Sequence, residues 1–341
     1  VLPRLEALPG RFFGLGYYTL DDLADGRLLK ELPDLRVAAA GWTVLSLRRS
    51  LGDAPLTADE WADAEAALNV TQAFGLRIMA EAPAEALLSD APAGQVARAS
   101  LQRCAPYLAG ALVDARRLTQ PDTVDAAVRS ARALLPEGRT LLVRAAQAPP
   151  SCDSRLVDLP PAVEAPAGPF PRAWRALAAL LDGPDARPAW LLAEYWPTRE
   201  LTGCEDPAAA AALTAIAARC VPRVEAAALG RLLGRENEWA LLHSSLTLSE
   251  PFLAWAVAAR QLAGLDPEGV SELEPGLFEM KASGPRQLRV AWSETAKRQI
   301  TAKPGESAWD HLGRRLEGHT LEVSFAPVYL VTEKPLSGPL R

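Results

Sequence analysis

Short runs of apolar residues alternate with longer helical patterns along most of this 341-residue chain. Helices are indicated by a capping box at Thr57–Glu60, by Pro121 in a first turn, by the Asp206–Pro207 pair and by Ser249–Gly264. Strands that alternate with helices form parallel sheets, and eight such units in about 250 residues match the size of an α/β (β/α)8 TIM barrel. The runs predict eight strands, of which the last suits a helix equally well: Phe12–Leu20, Leu35–Leu47, Leu76–Ala82, Gly110–Ala115, Leu141–Ala145, Arg155–Leu159, Trp190–Trp196 and Val224–Leu229.

The pattern changes near Pro275, where helical periodicity ends and glycine and proline turns separate short apolar runs. Such a pattern is typical of a small antiparallel β-sandwich. We therefore expect two domains, a barrel over residues 11–265 and a β-sandwich over residues 275–333. The strands predicted for the sandwich are Leu277–Met280, Leu288–Trp292, Gln299–Ala302, Leu321–Phe325 and Val328–Val331.

Composition narrows the function classes. Hydrophobic residues make up 49% and charged residues 23% of the chain, which is typical of folded domains rather than disordered ones. The net charge of −6 argues against a nucleic-acid partner, because phosphate binding needs clustered positive charge. No apolar run approaches the roughly 18 residues that a membrane span requires.

The three histidines and four cysteines form no metal-binding motif, so we expect neither a metal nor another cofactor. We expect free, mostly buried thiols, although an even number of cysteines also permits two disulfides. Because the chain begins at Val1 rather than Met, we expect a trimmed or processed product. Localisation stays open, with an extracytoplasmic or secreted location favoured, and the sequence does not give the oligomeric state.

Three segments carry a resemblance to a known family. They are Pro188–Gly203 (PAWLLAEYWPTRELTG), Glu238–Gly264, and a tail that contains Leu288–Trp292, Asp310–Gly313 and Ala326–Leu330. Together they resemble the retaining glycoside hydrolases of the cellulase-like (β/α)8-barrel clan, in which a small sandwich often follows the barrel. The resemblance implies the same fold and a carbohydrate ligand.

The resemblance also implies catalytic positions. Glu194 matches the nucleophile at the end of strand seven. The acid/base position at the end of strand four reads Val113-Asp114-Ala115-Arg116, so either its glutamate is replaced by Ala115 or Asp114 has taken over the role. The family's His-x-Tyr on strand six and its aromatic residue on strand eight are replaced by Leu159–Pro161 and Ala226–Ala228.

Independently of the resemblance, aromatic and acidic residues fall near the predicted strand ends. Sugar rings stack on aromatic faces while their hydroxyls bind polar neighbours. Glu81, at the end of strand three, is expected to reach the same barrel mouth, and Arg48 and Arg49 follow strand two. The aromatic candidates for substrate binding are Tyr17, Tyr18, Trp42, Tyr195 and Trp196.

Two hypotheses follow from these observations. The first is a glycoside hydrolase that acts on a polysaccharide or oligosaccharide by retention, with Glu194 as nucleophile and Asp114 as its partner. The alternative is a catalytically eroded barrel that binds a glycan or a protein partner without cleaving it. An unrelated barrel enzyme ranks last, because no glycine-rich phosphate loop lies near strands seven and eight.

Overall fold

The computed structural model describes residues 12–37, 40–48, 54–145, 147–158, 181, 187–193, 204, 206–221, 223–229 and 249–333. These residues fall into two compact units. The first holds the described residues as far as Asp158, with 187–192 and 223–229. The second holds the rest, including the final antiparallel sheets. The two domain boundaries predicted from the sequence stay predictions.

Eight parallel strands close into a barrel in the first unit, which confirms the predicted fold class. Strand β1 pairs with β2 on one side and with β8 on the other, so no edge is left open. The strands are β1 (Phe13–Thr19), β2 (Trp42–Ser46), β3 (Arg77–Pro83), β4 (Gly110–Asp114), β5 (Thr140–Arg144), β6 (Ser154–Asp158), β7 (Ala189–Ala193) and β8 (Val224–Leu229).

Helices follow the barrel strands, and two of them begin where the sequence predicts a helix start. Thr57 and Glu60 form the expected capping box at the start of α3, and Pro121 is the first residue of α6. The sequence also predicts a helix over Ala173–Leu181, which lies outside the described residues except for Leu181. In this unit the described helices are α1 (Leu20–Ala24), α2 (Arg27–Val37), α3 (Ala58–Ala73), α4 (Ala84–Leu88), α5 (Pro92–Cys104) and α6 (Pro121–Leu134).

One part of the strand prediction is wrong. Residues 35–37, expected to open the second strand, end helix α2, and β2 begins only at Trp42. The run from Leu35 to Leu47 is mostly apolar, interrupted only by Arg36, Thr43 and Ser46, so its composition does not separate a buried helix end from a buried strand.

Large rings and small residues fill the N-terminal end of the barrel interior. The rings of Trp42 and Trp190 lie 4.7 Å apart, and Gly14 lies against Trp42, where a Cβ atom would overlap the indole. Ala226 and Ala228 of β8 belong to the same buried cluster. The small residues thus leave room for the two indoles, and this end of the barrel is a packed core.

Among its described residues, the second unit contains two helices, α7 (Pro207–Cys220) and α8 (Glu250–Leu262), and the antiparallel sheets. The six-stranded sheet has the order β14-β13-β16-β11-β10-β9, and β12 pairs with β15. The strands of the two sheets are β9 (Asp266–Glu274), β10 (Leu277–Ser283), β11 (Arg286–Ser293), β12 (Arg298–Thr301), β13 (Ser307–Trp309), β14 (Arg315–Leu316), β15 (Thr320–Val323) and β16 (Val328–Glu333).

The predicted sandwich strands are confirmed, but the sequence missed β9, β13 and β14. Strand β9 reads DPEGVSELE and is largely exposed, so it lacks the apolar alternation that marks a strand. Its backbone pairing with β10 defines it instead. Strands β13 and β14 span only three and two residues, too short for any periodic pattern.

None of the four cysteines forms a disulfide, and Cys104, Cys152 and Cys204 are buried while Cys220 is partly buried. Within the part of the chain that the structure describes, no helix combines the length and apolar character needed to cross a membrane.

Candidate active site

The C-terminal ends of the barrel strands carry polar residues where the other end carries indoles and alanines. Because side chains alternate along a strand, residues two positions beyond the apolar interior side chains also face inward. Glu81 follows Met79 in this way on β3, Asp114 follows Leu112 on β4, and Arg144 follows Leu142 on β5. The fold therefore gathers acidic and basic groups at the barrel mouth.

Glu81 is the most enclosed acid of this group, with 5% of its surface exposed. The phenol of Tyr17, on β1, donates a hydrogen bond to its Oε2. Its Oε1 lies 3.6 Å from Nη1 of Arg144, which is itself only 2% exposed. Buried charges are stable only where opposite charges and hydrogen-bond donors surround them, and this cluster provides both to Glu81.

Asp114 lies opposite Arg144 in the pairing of β4 with β5 and is held by a different arginine. Its two carboxylate oxygens accept hydrogen bonds from Nε and Nη2 of Arg116, each at 2.9 Å. Burial acts to raise the pKa of Asp114, but the hydrogen bonds and charge of Arg116, with a smaller contribution from Arg144, outweigh it. The pKa of Asp114 is therefore lowered, so in this geometry the group is an ionised carboxylate rather than a proton donor.

Two aromatic residues predicted at the mouth lie elsewhere. Trp42 is at the N-terminal start of β2, 1% exposed, and its Nε1 donates to the carbonyl of Phe12 at 3.2 Å. Tyr18 is also 1% exposed, and its hydroxyl donates to Glu31 of α2 at 2.7 Å. Burial, then the charge of Glu31, raises the pKa of Tyr18. These positions correct the expectation, because neither ring offers a face to a ligand at the mouth. Tyr17 lies towards the C-terminal end of β1, and its role in substrate binding stays a prediction.

Three predicted site residues lie outside the described part of the chain. They are Glu194, Tyr195 and Trp196, which directly follow Ala193, the last residue of β7. The Leu159–Pro161 segment after β6 also lies outside it. The roles predicted for the three site residues stay predictions.

Sequence reasoning missed Arg144. The sequence does contain a sign of an inward-facing charge. Arg144 ends the otherwise apolar run LLVR and lies two positions beyond Leu142, so its side chain falls on the same face of the strand. Its acidic partners on β3 and β4 are more than 25 residues away in sequence, so the pairing emerges only when the strands are placed side by side.

Several solved structures resemble this chain. A family 39 glycoside hydrolase from Bacteroides cellulosilyticus WH2 superposes with a TM-score of 0.69 at 13% identity, covering 94% of this chain and 81% of that one. A monomeric β-xylosidase from Caulobacter crescentus CB15 gives a TM-score of 0.58 at 11% identity, with 97% and 98% covered. The family 30 subfamily 8 xylanase Xyn30A from Clostridium acetobutylicum gives 0.57 at 12%, also with 97% and 98% covered.

These likenesses show the fold, which is that of the cellulase-like (β/α)8 glycoside hydrolases. No protein-family model matches the sequence, and no curated protein matches it either.

Proposed function

We propose that this protein acts on a polysaccharide or oligosaccharide at the C-terminal mouth of its barrel. The observation that carries the proposal is the group formed by Tyr17, Glu81, Asp114 and Arg144, which gathers hydroxyl, carboxylate and guanidinium groups at one end of a glycoside hydrolase fold. Sugar ligands need such groups to bind their hydroxyls, and active sites of (β/α)8 barrels lie at this end.

If the protein is active, the proposed reaction is a retaining double displacement with Glu194 as nucleophile. Two observations support this role. Glu194 directly follows β7, and it has the parity of Trp190 and Leu192, whose side chains belong to the interior cluster. A retaining mechanism needs a second carboxyl group about 5–5.5 Å away that protonates the leaving oxygen and later activates water.

Asp114 is the proposed acid/base partner of Glu194. Its hydrogen bonds to Arg116 limit when it can act as an acid. While Arg116 holds the carboxylate ionised, Asp114 has no proton to give to a leaving group. The substrate must therefore draw Arg116 away before Asp114 becomes an effective acid. Glu81, which is bound by Tyr17 rather than by a bidentate arginine, is another carboxyl group near the end of a barrel strand.

The alternative function is glycan binding without cleavage, and the same Asp114–Arg116 pair favours it. A carboxylate locked to an arginine can accept hydrogen bonds from sugar hydroxyls but does not supply acid catalysis. A non-hydrolysing barrel would keep the mouth and its hydrogen-bonding groups and lose the leaving-group chemistry.

Hydrolysis of a polysaccharide panel, measured beside activated aryl glycosides, tests the proposal. In an active enzyme, Glu194→Gln abolishes turnover on both kinds of substrate, because the nearly isosteric amide cannot attack the anomeric carbon. Asp114→Asn slows cleavage of natural linkages far more than that of aryl glycosides, whose leaving groups depart without a proton. Glu137→Gln, an exposed residue between α6 and β5, is the matched control and leaves both rates unchanged.

Binding measurements separate the two functions. Glycan binding by the wild type without hydrolysis of any substrate supports the eroded barrel. Turnover that survives Glu194→Gln contradicts the assigned nucleophile. Absence of both binding and hydrolysis over the whole panel contradicts the carbohydrate proposal itself.

A further inference from the structure

A cavity of about 250 Å³ lies in the first unit, among the segments that follow the first four barrel strands. Leu20 comes directly after β1, Arg48 follows β2, Pro83 ends β3, and Arg117 lies three residues beyond β4. Helix α5 lines the cavity with Val96, Ala97 and Ser100, among others. The cavity therefore belongs to the C-terminal end of the barrel, where ligands of this fold bind.

The charge of this cavity is opposite to that of the whole chain. The net charge of the protein is −6, yet Arg48 and Arg117 are the charged residues among those that line the cavity. Both side chains are exposed, and within the described residues neither guanidinium is bonded to an acceptor. The neighbouring Arg116 differs from Arg117, because its guanidinium forms an ion pair with Asp114.

A serine hydroxyl adds a second polar feature. Ser100 is 3% exposed and lines the cavity, and its hydroxyl makes no hydrogen bond to any residue that the structure describes. Mid-helix serines normally bond a carbonyl one turn earlier, as Thr71 does with Ala67 at 2.7 Å. The residue is buried, but its hydroxyl opens onto the cavity and can bond a ligand or water there.

We propose that this cavity binds an anionic substituent, a carboxylate or sulfate ester, of a saccharide. The guanidinium groups of Arg48 and Arg117 can donate paired hydrogen bonds to the oxygens of either group. Ser100 supplies a hydrogen bond to a neighbouring sugar oxygen, and Leu47, Pro55 and Leu56 offer an apolar wall to the C–H face of the ring. This inference rests on the proposed function and deepens it, because it names acidic saccharides as the ligand class.

Matched ligand pairs that differ only in charge test the proposal. We would measure binding of trigalacturonate against its methyl ester, and of a sulfated oligosaccharide against its desulfated form, by calorimetry on the full chain. The wild type should prefer the acidic member of at least one pair, and that preference should weaken as salt rises. Arg48→Gln and Arg117→Gln should each weaken the acidic ligand about tenfold and leave its neutral counterpart unchanged.

The control variant is Arg129→Gln, which removes one positive charge from an exposed pair with Asp125 on α6. It should bind like the wild type. Because Arg48 and Arg117 are exposed, their variants should also keep the wild-type melting temperature, and that measurement separates lost binding from lost fold.

Three results would overturn the inference and leave the proposed function standing. These are equal binding of both members in both pairs, acidic binding that survives both arginine variants, and inorganic sulfate that binds as tightly as the sulfated oligosaccharide. Failure of every saccharide, including the neutral panel, would instead contradict the proposed function on which the inference rests.

Discussion

The two ends of the barrel interior differ in chemistry although the same eight strands form both. The N-terminal end is apolar and closely packed, whereas the C-terminal end carries polar and charged groups. At the N-terminal end, Trp42 and Trp190 pack against glycine and alanine, and the volume is filled. At the C-terminal end, Tyr17, Glu81 and Arg144 are joined by a hydrogen bond and an ion pair. The first arrangement gains stability from close packing, whereas the second holds charges that are costly to bury. Substitutions at the first end should therefore change stability, and those at the second should change ligand chemistry.

Trp42→Ala should have the largest effect on stability. Removing a fully buried indole leaves a cavity that Gly14 and the alanines of β8 cannot fill, so we expect a loss of about 3–5 kcal/mol in the free energy of unfolding. Denaturant titration followed by circular dichroism measures it. Val70→Ala, at an exposed position on α3, is the control and should change stability little. A loss below about 1 kcal/mol would mean that the N-terminal end is not the packed core described here.

Gly14→Ala should destabilise by about 1–3 kcal/mol through overpacking, because the new methyl group overlaps the Trp42 ring. The double variant Gly14→Ala with Trp42→Phe sharpens the test, since a smaller ring makes room for the methyl. We expect a favourable coupling between the two substitutions in a double-mutant cycle. Simple additivity would contradict the contact.

Tyr17→Phe should cost about 1–3 kcal/mol of stability, because it leaves a buried carboxylate oxygen without its donor, and it should also weaken saccharide binding or turnover. The phenol orients Glu81, so its removal frees the carboxylate without opening a cavity. Stability and saccharide binding should be measured for both ends of the barrel. A variant at the N-terminal end, such as Trp42→Ala, should change stability strongly and binding little. Tyr18→Phe removes a phenol at the adjacent residue of β1 and should leave binding intact.

Asp114→Asn should have the smallest effect, about 1 kcal/mol or less at neutral pH, because Arg116 is partly exposed to solvent. The pKa of Asp114 is lowered, chiefly by Arg116 against the opposing effect of burial. A lowered folded-state pKa contributes stability above the unfolded value of about 3.9, and that contribution disappears as pH falls through the folded value. The difference in melting temperature between wild type and variant should thus be constant near neutral pH and shrink below about pH 4. A difference that grows on acidification would contradict the ion pair.

The barrel could be predicted because its strands are short apolar runs between capped helices, as Thr57 and Pro121 illustrate. The positions of individual side chains could not. Trp42 was expected at the mouth, and only the observed start of β2 places it at the other end. The sequence does not indicate the role of Arg144, because its acidic partners lie on strands more than 25 residues away along the chain. Periodicity gives the face on which a residue lies, whereas its height in the barrel depends on strand ends and register.

The free thiols give each unit its own built-in probe of opening. Cys104 ends α5 in the first unit and Cys220 ends α7 in the second. Burial raises the pKa of each thiol to about 12, so the reactive thiolate is scarce at neutral pH while the helices stay closed. Alkylation by a small reagent then proceeds only as fast as the surrounding helices open. Comparing the labelling rates of Cys104 and Cys220 would show which of the two units opens more readily, and no engineered label is needed.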